Sequence, residues 1–219
     1  MNRRNFVKQQ GFTIIELMLA TAVFSLVLLL CTASLIQVSR MYYKGVTSAS
    51  TQAAARGVMD DISRPLQFSG DTPLFGGVPG PGATASFCLG TQRFSYILDR
   101  QLNDSPSAAL NQSQHVLWRD TMSSSGSCPP LALNATTPSD GLSTGDGVEM
   151  LAPNMRLSRL VVQSAGLELW RVEVSVIYGD EDLIDRITDP TRITCSGSQI
   201  GSQFCAVSEL STVVSRRLR

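Results

Sequence analysis

The chain has 219 residues, with 18 Lys+Arg against 18 Asp+Glu and therefore no net formal charge. That length allows one or two domains with a real core. The even balance of charge offers no basic excess for nucleic acid and no acidic excess for a solvating tail.

Residues 3–30 read RRNFVKQQGFTIIELMLATAVFSLVLLL. A basic, polar head meets Gly11, and an apolar run follows. From Phe12 to Ile36 there are 25 residues, of which Glu16 alone is charged. About 20 apolar residues cross a bilayer core, so the run is long enough. Arg3, Arg4 and Lys8 precede it and hold the N-terminus on the cytoplasmic side, which places the remainder outside. A secretory signal peptide fits less well, because its apolar region spans roughly 7–15 residues and ends at a small-residue cleavage site. Here only CTAS, 31–34, is a candidate for that site, and the sequence continues as helix.

A carboxylate inside a membrane helix costs a few kcal/mol and marks a functional position by default. If the chain were cut between Gly11 and Phe12, Phe12 would carry a cationic amine and Glu16 would sit one turn into the helix, where the dipole favours an anion. Glu16 could pair with its own terminus or with that of an adjacent subunit. The alternative is a carboxylate that snorkels to the headgroups, which position alone does not exclude.

No proline interrupts the chain between Phe12 and Arg64. Val38, Tyr42, Val46, Ala49 and Ala53 recur at helical spacing, so an amphipathic continuation is expected to bury that stripe. Arg64 precedes Pro65 and is biased against helix, which predicts one helix over about 12–63. Residues 69–86, SGDTPLFGGVPGPGATAS, are rich in Gly and Pro and read as a loop. SFCLG and RFSYIL, about 86–98, read as short strands, NDSPSAALNQS as a turn or loop, HVLWRD (115–120) as a strand, and 121–147 as a long surface loop.

The clearest strand is LELWRVEVSVIYG. Trp170, Val172, Val174, Val176 and Tyr178 alternate onto one face, while Arg171, Glu173 and Ser175 take the other. MRLSRLVVQS, joined to it through AGL, completes a hairpin. FCAVSELSTVVSRRLR reads as a terminal strand with a basic tail. The expected fold class is α+β, a long N-terminal helix packed on an antiparallel sheet. The expected organisation is a leader at 1–11, a membrane helix at 12–36, its amphipathic continuation and exit at 37–68, and a β-rich extracytoplasmic domain at 69–219.

Of the five cysteines, Cys31 lies in the apolar run. Cys88, Cys128, Cys195 and Cys205 form an even set downstream, with no CxxC and only His115 to help them, which argues against a zinc site. Two disulfides in an oxidising compartment are the better reading. Cys195 and Cys205 enclose SGSQIGSQF, a loop without a core, so that pairing is preferred and Cys88 pairs with Cys128 by exclusion, among the three connectivities four cysteines allow.

The remaining polar groups suggest little chemistry. YGDEDLID, 178–185, and TGDG, 144–147, lack the spacing of an EF-hand loop and read as solvated turns rather than a calcium site. His115 has no nucleophile, base and oxyanion hole around it, so no catalytic residue, metal or cofactor is assigned and the chain is read as non-enzymatic. Removing the leader takes away three cations, leaving 15 against 18 acids. That net −3 argues against broad phosphate affinity despite Arg216, Arg217 and Arg219 at the end.

The segment GFTIIELMLATAVFSLVLLL resembles the N-terminus of type IV prepilins and of the pseudopilins of type II secretion. They share a short basic leader, Gly, Phe-Thr, two apolar residues and Glu, here Gly11, Phe12, Thr13, Ile14, Ile15 and Glu16. The resemblance covers about the first 30 residues. It implies cleavage after Gly11 by a membrane aspartyl prepilin peptidase, N-methylation of Phe12, and a role for Glu16 in recruiting and registering subunits during filament assembly. The absence of a mid-helix proline departs from many pilins. The implied fold is the pilin architecture. The implied partners are the peptidase, other pilin subunits, the pilus assembly platform and, before assembly, membrane lipid. The mature length, 219 minus 11 or 208 residues, together with the C-terminal ending and large loops, is similar to PilW-type minor pilins. A type II secretion pseudopilin is the alternative. A membrane-anchored adhesive or DNA-binding module that never polymerises is another, and nothing in the sequence supports a DNA or surface ligand directly.

Overall fold

The computed structural model describes residues 11–80, 82–102, 115–135, 137–145, 147–166, 168–186, 193–197 and 201–216. The chain divides into two compact units, up to Tyr42 and from Tyr43 onward. Within the first, Gly11–Thr13 are non-helical and α1 (Ile14–Phe68) begins. This stretch is long and apolar enough to cross a membrane. Its hydroxyls bond back onto their own helix: Thr21 donates to the Met18 carbonyl at 3.0 Å and Thr32 to that of Leu28 at 2.9 Å. Ser25 and Ser34 donate to the carbonyls of Thr21 and Leu30 in the same way. Such internal satisfaction is what a lipid environment demands of polar groups.

The second unit contains the rest of α1, which ends at Phe68 rather than near Ser63, with Pro65 inside its last turn. Proline removes one N–H and crowds the preceding turn. Here that loss is local, because Ile62 and Leu66 on either side of Pro65 are both buried in the core. The expected stripe is corrected as well. Val38, Tyr42, Val46, Ala49 and Ala53 are exposed, and the buried face is Thr51, Ala55, Val58, Met59, Ile62 and Leu66. Both sets have helical spacing, and packing alone decides between them. Each large side chain on the buried face contributes about 1.5–3 kcal/mol.

Two antiparallel sheets share one core with this helix. The first has five strands in sequence order: β1 (Leu74–Gly80), β2 (Ala83–Leu89), β3 (Gln92–Ile97), β4 (Leu117–Thr121) and β5 (Val148–Glu149). Phe87 and Phe94 are register partners on β2 and β3 and stack at 4.7 Å. The second places β7 (Leu169–Tyr178) between β6 (Met155–Gly166) and β10 (Ala206–Ser215). Val172, Val174 and Val176 face the shared core, while Ile177 points to a smaller cluster with Leu183, Ile193 and Cys205. A two-stranded ribbon pairs β8 (Ile184–Asp185) with β9 (Thr194–Cys195).

Two segments expected to be loops behave otherwise. Within 69–86, LFGGVPG is β1, an edge strand paired with β2 and bulged between Gly77 and Gly80, where Pro79 is tolerated. Gly76 is required by close approach: a Cβ there would lie 1.7 Å from the Cys128 carbonyl oxygen. The described residues after Thr121 and up to 147 are irregular as expected, yet Met122, Cys128, Leu131 and Leu133 are buried, Leu131 and Leu133 against Ile97 and Trp118, and Met122 and Cys128 against Cys88. The turn expected at 103–113 lies outside the described residues.

Candidate functional site

The site suggested by the sequence is the junction between the basic head and α1. Arg3, Arg4 and Lys8 lie outside the described residues. Gly11 and Phe12 are exposed and non-helical, so the peptide bond between them precedes the first turn. A side chain at Gly11 would meet nothing within 4 Å. No contact within the chain requires glycine there.

Thr13 is the residue that sequence reasoning missed. Its backbone N–H and its hydroxyl donate to Glu16 Oε2 at 2.9 and 2.8 Å, and the Glu16 N–H returns a bond to Thr13 Oγ1 at 3.3 Å. The Thr13 carbonyl accepts the first helical bond, from Leu17 N–H, at 3.2 Å. This is a capping box, with Thr13 as N-cap and Glu16 three residues on. The signal was present as T-x-x-E ahead of an apolar run. The arrangement satisfies helix-end donors that lipid could not serve. It also keeps the carboxylate at the N-terminal end of the dipole, one turn from the residue that becomes the amine if the chain is cut after Gly11.

The outer residues singled out by sequence fall elsewhere. Cys88 is bridged to Cys128 and Cys195 to Cys205, the pairing the sequence favoured, while Cys31 is free and exposed. The loop-entropy model assigns these bridges about 4 and about 3 kcal/mol. Beside the first lies a polar group the sequence did not announce. Arg93 on β3 is fully buried, and its Nε and Nη2 donate to Asp120 at 3.0 and 2.6 Å. Its Nη1 donates to Asp140 at 2.8 Å and to the Pro129 carbonyl at 3.1 Å. Burial pulls the Arg93 pKa down, but its bonds to Asp120 and Asp140 outweigh that and leave it raised. In return the Arg93 guanidinium holds the Asp140 carboxyl down at about 2. This cluster fastens the 121–147 segment to the sheet.

His115 packs against Trp118 with ring centroids 4.3 Å apart and planes tilted by 59°, and its Nδ1 is 3.4 Å from Glu149 Oε2. Glu149 in turn accepts backbone N–H groups from Val116, Leu117 and Leu151. In the acidic run, Glu181 is engaged by Arg156 and Arg186. Among the described residues no group of His, Cys, Asp and Glu converges as metal ligands. Arg216 donates to the Gly70 carbonyl, and Arg217 and Arg219 lie outside the described residues.

A family model, the prokaryotic N-terminal methylation motif, matches residues 7–32. No curated protein and no solved structure matches the chain. The motif is a structural, pilin-type signature rather than an enzyme class. It implies processing by a prepilin peptidase and association with other pilins, and with the apolar N-terminal helix it fits a membrane-anchored protein. The chain thus carries the prokaryotic N-terminal methylation motif at the start of a long N-terminal helix, followed by antiparallel sheets and two disulfides, and in this it is similar to type IV prepilins and pseudopilins.

Proposed function

We propose that this chain is a non-enzymatic structural subunit of a type IV pilus, in the role of a PilW-like minor pilin. In this reading residues 1–11 are a leader, 12–36 the membrane and assembly helix, 37–68 its continuation, and 69–219 the outer domain. The prepilin enters the cytoplasmic membrane with its N-terminus inside and its outer domain outside. The peptidase cuts after Gly11, Phe12 is N-methylated, and the assembly platform moves the subunit from lipid into a filament of other pilins at the cell surface. No cofactor is required.

The observation that carries the reading is the methylation motif at 7–32, placed where an exposed Gly11–Phe12 bond abuts the Thr13–Glu16 cap. In a monomer Thr13 holds the carboxylate. During assembly the Phe12 amine of a neighbouring subunit becomes its charge partner in a low-dielectric bundle, where an opposite charge is worth most. The same motif serves a type II secretion pseudopilin, which is the second reading. The test is mass spectrometry of the N-terminus in sheared surface filaments. A methylated Phe12 in filaments that also contain a major pilin supports the minor-pilin role. An intact Met1 leader in purified membranes refutes it, and processed chain confined to a secretion system's periplasmic fibre moves the assignment to the pseudopilin.

A further inference from the structure

We infer that β10 is a self-pairing edge, through which the outer unit joins a second copy of this chain strand to strand, antiparallel about Leu210. The contact lies wholly within the unit from Tyr43 onward.

An open strand edge presents a row of main-chain N–H and C=O groups that another extended strand satisfies, and proteins normally blunt such edges. This chain blunts the others. β1 carries Pro79 and a register shift, and β5 has two residues. β6 has two register shifts, and the Asp99 and Leu102 N–H groups donate to its Leu157 and Met155 carbonyls. β10 lies at the edge of its sheet, with β7 on one side and, among the described residues, no strand on the other. It keeps unbroken register with β7 over ten residue pairs and contains no proline, lysine or arginine. Glu209 alone is charged.

The pattern of the strand identifies the occupant. Residues 206–214 read AVSELSTVV, a palindrome of polarity about Leu210. A two-fold axis at Leu210, normal to the sheet, makes the added strand antiparallel and keeps each face on its own side. Val207 then meets Val213 of the second copy, Glu209 meets Ser211, and Leu210 meets its own equivalent. Val207 and Val213 are 38% and 53% exposed, and Leu210 is half-buried at the margin of the core. Apolar groups therefore face apolar groups, and no two acids are directly opposite. The two Glu209 side chains are diagonal neighbours, about 7–8 Å apart, where water and salt screen them.

β10 is preceded by Phe204, which lies beside Tyr43, and followed by Arg216, which donates to the Gly70 carbonyl. It therefore runs in the same direction as the part of α1 beyond Tyr43. Antiparallel pairing joins outer units of opposite orientation, unlike the aligned neighbours within one filament. The contact suits copies that meet from separate filaments or membranes.

The test uses full-length chain in detergent micelles, with Cys31→Ser removing the free thiol. Val207→Cys and Val213→Cys are oxidised separately and as a mixture, with both native bridges confirmed by peptide mapping. In the paired register each lies about 20 Å of strand from its own equivalent but directly opposite the other. The mixture should give linked dimer about fivefold above either variant alone, because only the unlike pair falls within the roughly 4.4–6.8 Å Cα separation of a disulfide. Ser211→Glu, added to both variants, places an acid opposite Glu209 and should cut that yield severalfold, whereas Ser211→Lys should maintain or raise it. Equal linkage in the mixture and in Val213→Cys alone overturns the inference, because random collision would account for it. So does an absence of linked dimer, or an equal effect of the two Ser211 changes. Linkage of either variant in whole cells to a different protein would give the edge to another partner and likewise overturns it.

Discussion

Thr13 and Glu16 bond to each other in both directions: two Thr13 donors meet Glu16 Oε2 at 2.9 and 2.8 Å, and the Glu16 N–H meets Thr13 Oγ1 at 3.3 Å. The acid that looked isolated in an apolar run is thus held at the helix start by its own chain. The cap gives the carboxylate a partner within the apolar segment, and under the proposed function that partner would be exchanged at assembly.

Glu16→Val removes that acid. Insertion should become easier, since valine is favourable and a carboxylate unfavourable at membrane depth. Leader cleavage should persist because Gly11 and Phe12 are intact. Incorporation into filaments should fall sharply, with Glu16→Asp intermediate because its reach is shorter. Tagged variants co-expressed with the other pilus subunits, and compared between sheared filaments and membranes, decide the matter. Wild-type incorporation of Glu16→Val would remove the assembly role.

Gly11→Val should leave the fold intact, since a Cβ at Gly11 meets nothing within 4 Å. It should still block leader removal, because the branched side chain would sit at the scissile bond. Immunoblots with active and inactive peptidase would show no shortening of the variant. A variant processed like wild type would mean that the peptidase does not read this position.

Arg93→Met should destabilise the outer domain by about 3–5 kcal/mol, because it strands the Asp120 carboxylate, which is almost fully buried, without its cation. The double change Arg93→Met with Asp120→Leu should recover part of that loss, as an apolar replacement removes both charges. Thermal unfolding in detergent micelles under oxidising conditions measures both. A single variant as stable as wild type would mean that Arg93 does not fasten the 121–147 segment.

Asp140 gives the pH dependence. Its carboxyl sits at about 2 in the fold, below the ordinary 3.8, because Arg93 bonds to it. The folded form therefore binds fewer protons than the unfolded one as pH falls below the ordinary value. The stabilisation is present in full above about pH 4–5 and is lost as pH drops toward about 2. Asp140→Asn should lower the melting temperature modestly at pH 7 and flatten its decline between about pH 4 and 2. Parallel wild-type and variant curves over that range would refute the assignment.

The sequence by itself determined the features that local chemistry encodes. The GFTIIE junction, the uninterrupted helix, the β6–β7 hairpin with its alternating valines and the terminal strand were all legible, because each follows from spacing within one segment; the Cys195–Cys205 loop was legible in the same way, and Cys88–Cys128 only by exclusion. The cap at Thr13 is also a local feature, the first residue of T-x-x-E ahead of an apolar run. Other features were decided only by the tertiary structure. Two helical stripes were available, and the one at Thr51–Leu66 is buried because the sheets cover that length of helix. Pro65 stays helical because Ile62 and Leu66 are pinned around it. LFGGVPG becomes a strand because its glycines let the backbone reach Cys128. Arg93, an ordinary polar residue in a short strand, becomes a buried anchor because Asp120 and Asp140, 27 and 47 positions away, converge on it. Periodicity can say that a face exists, but which face loses its water depends on partners distant in the chain.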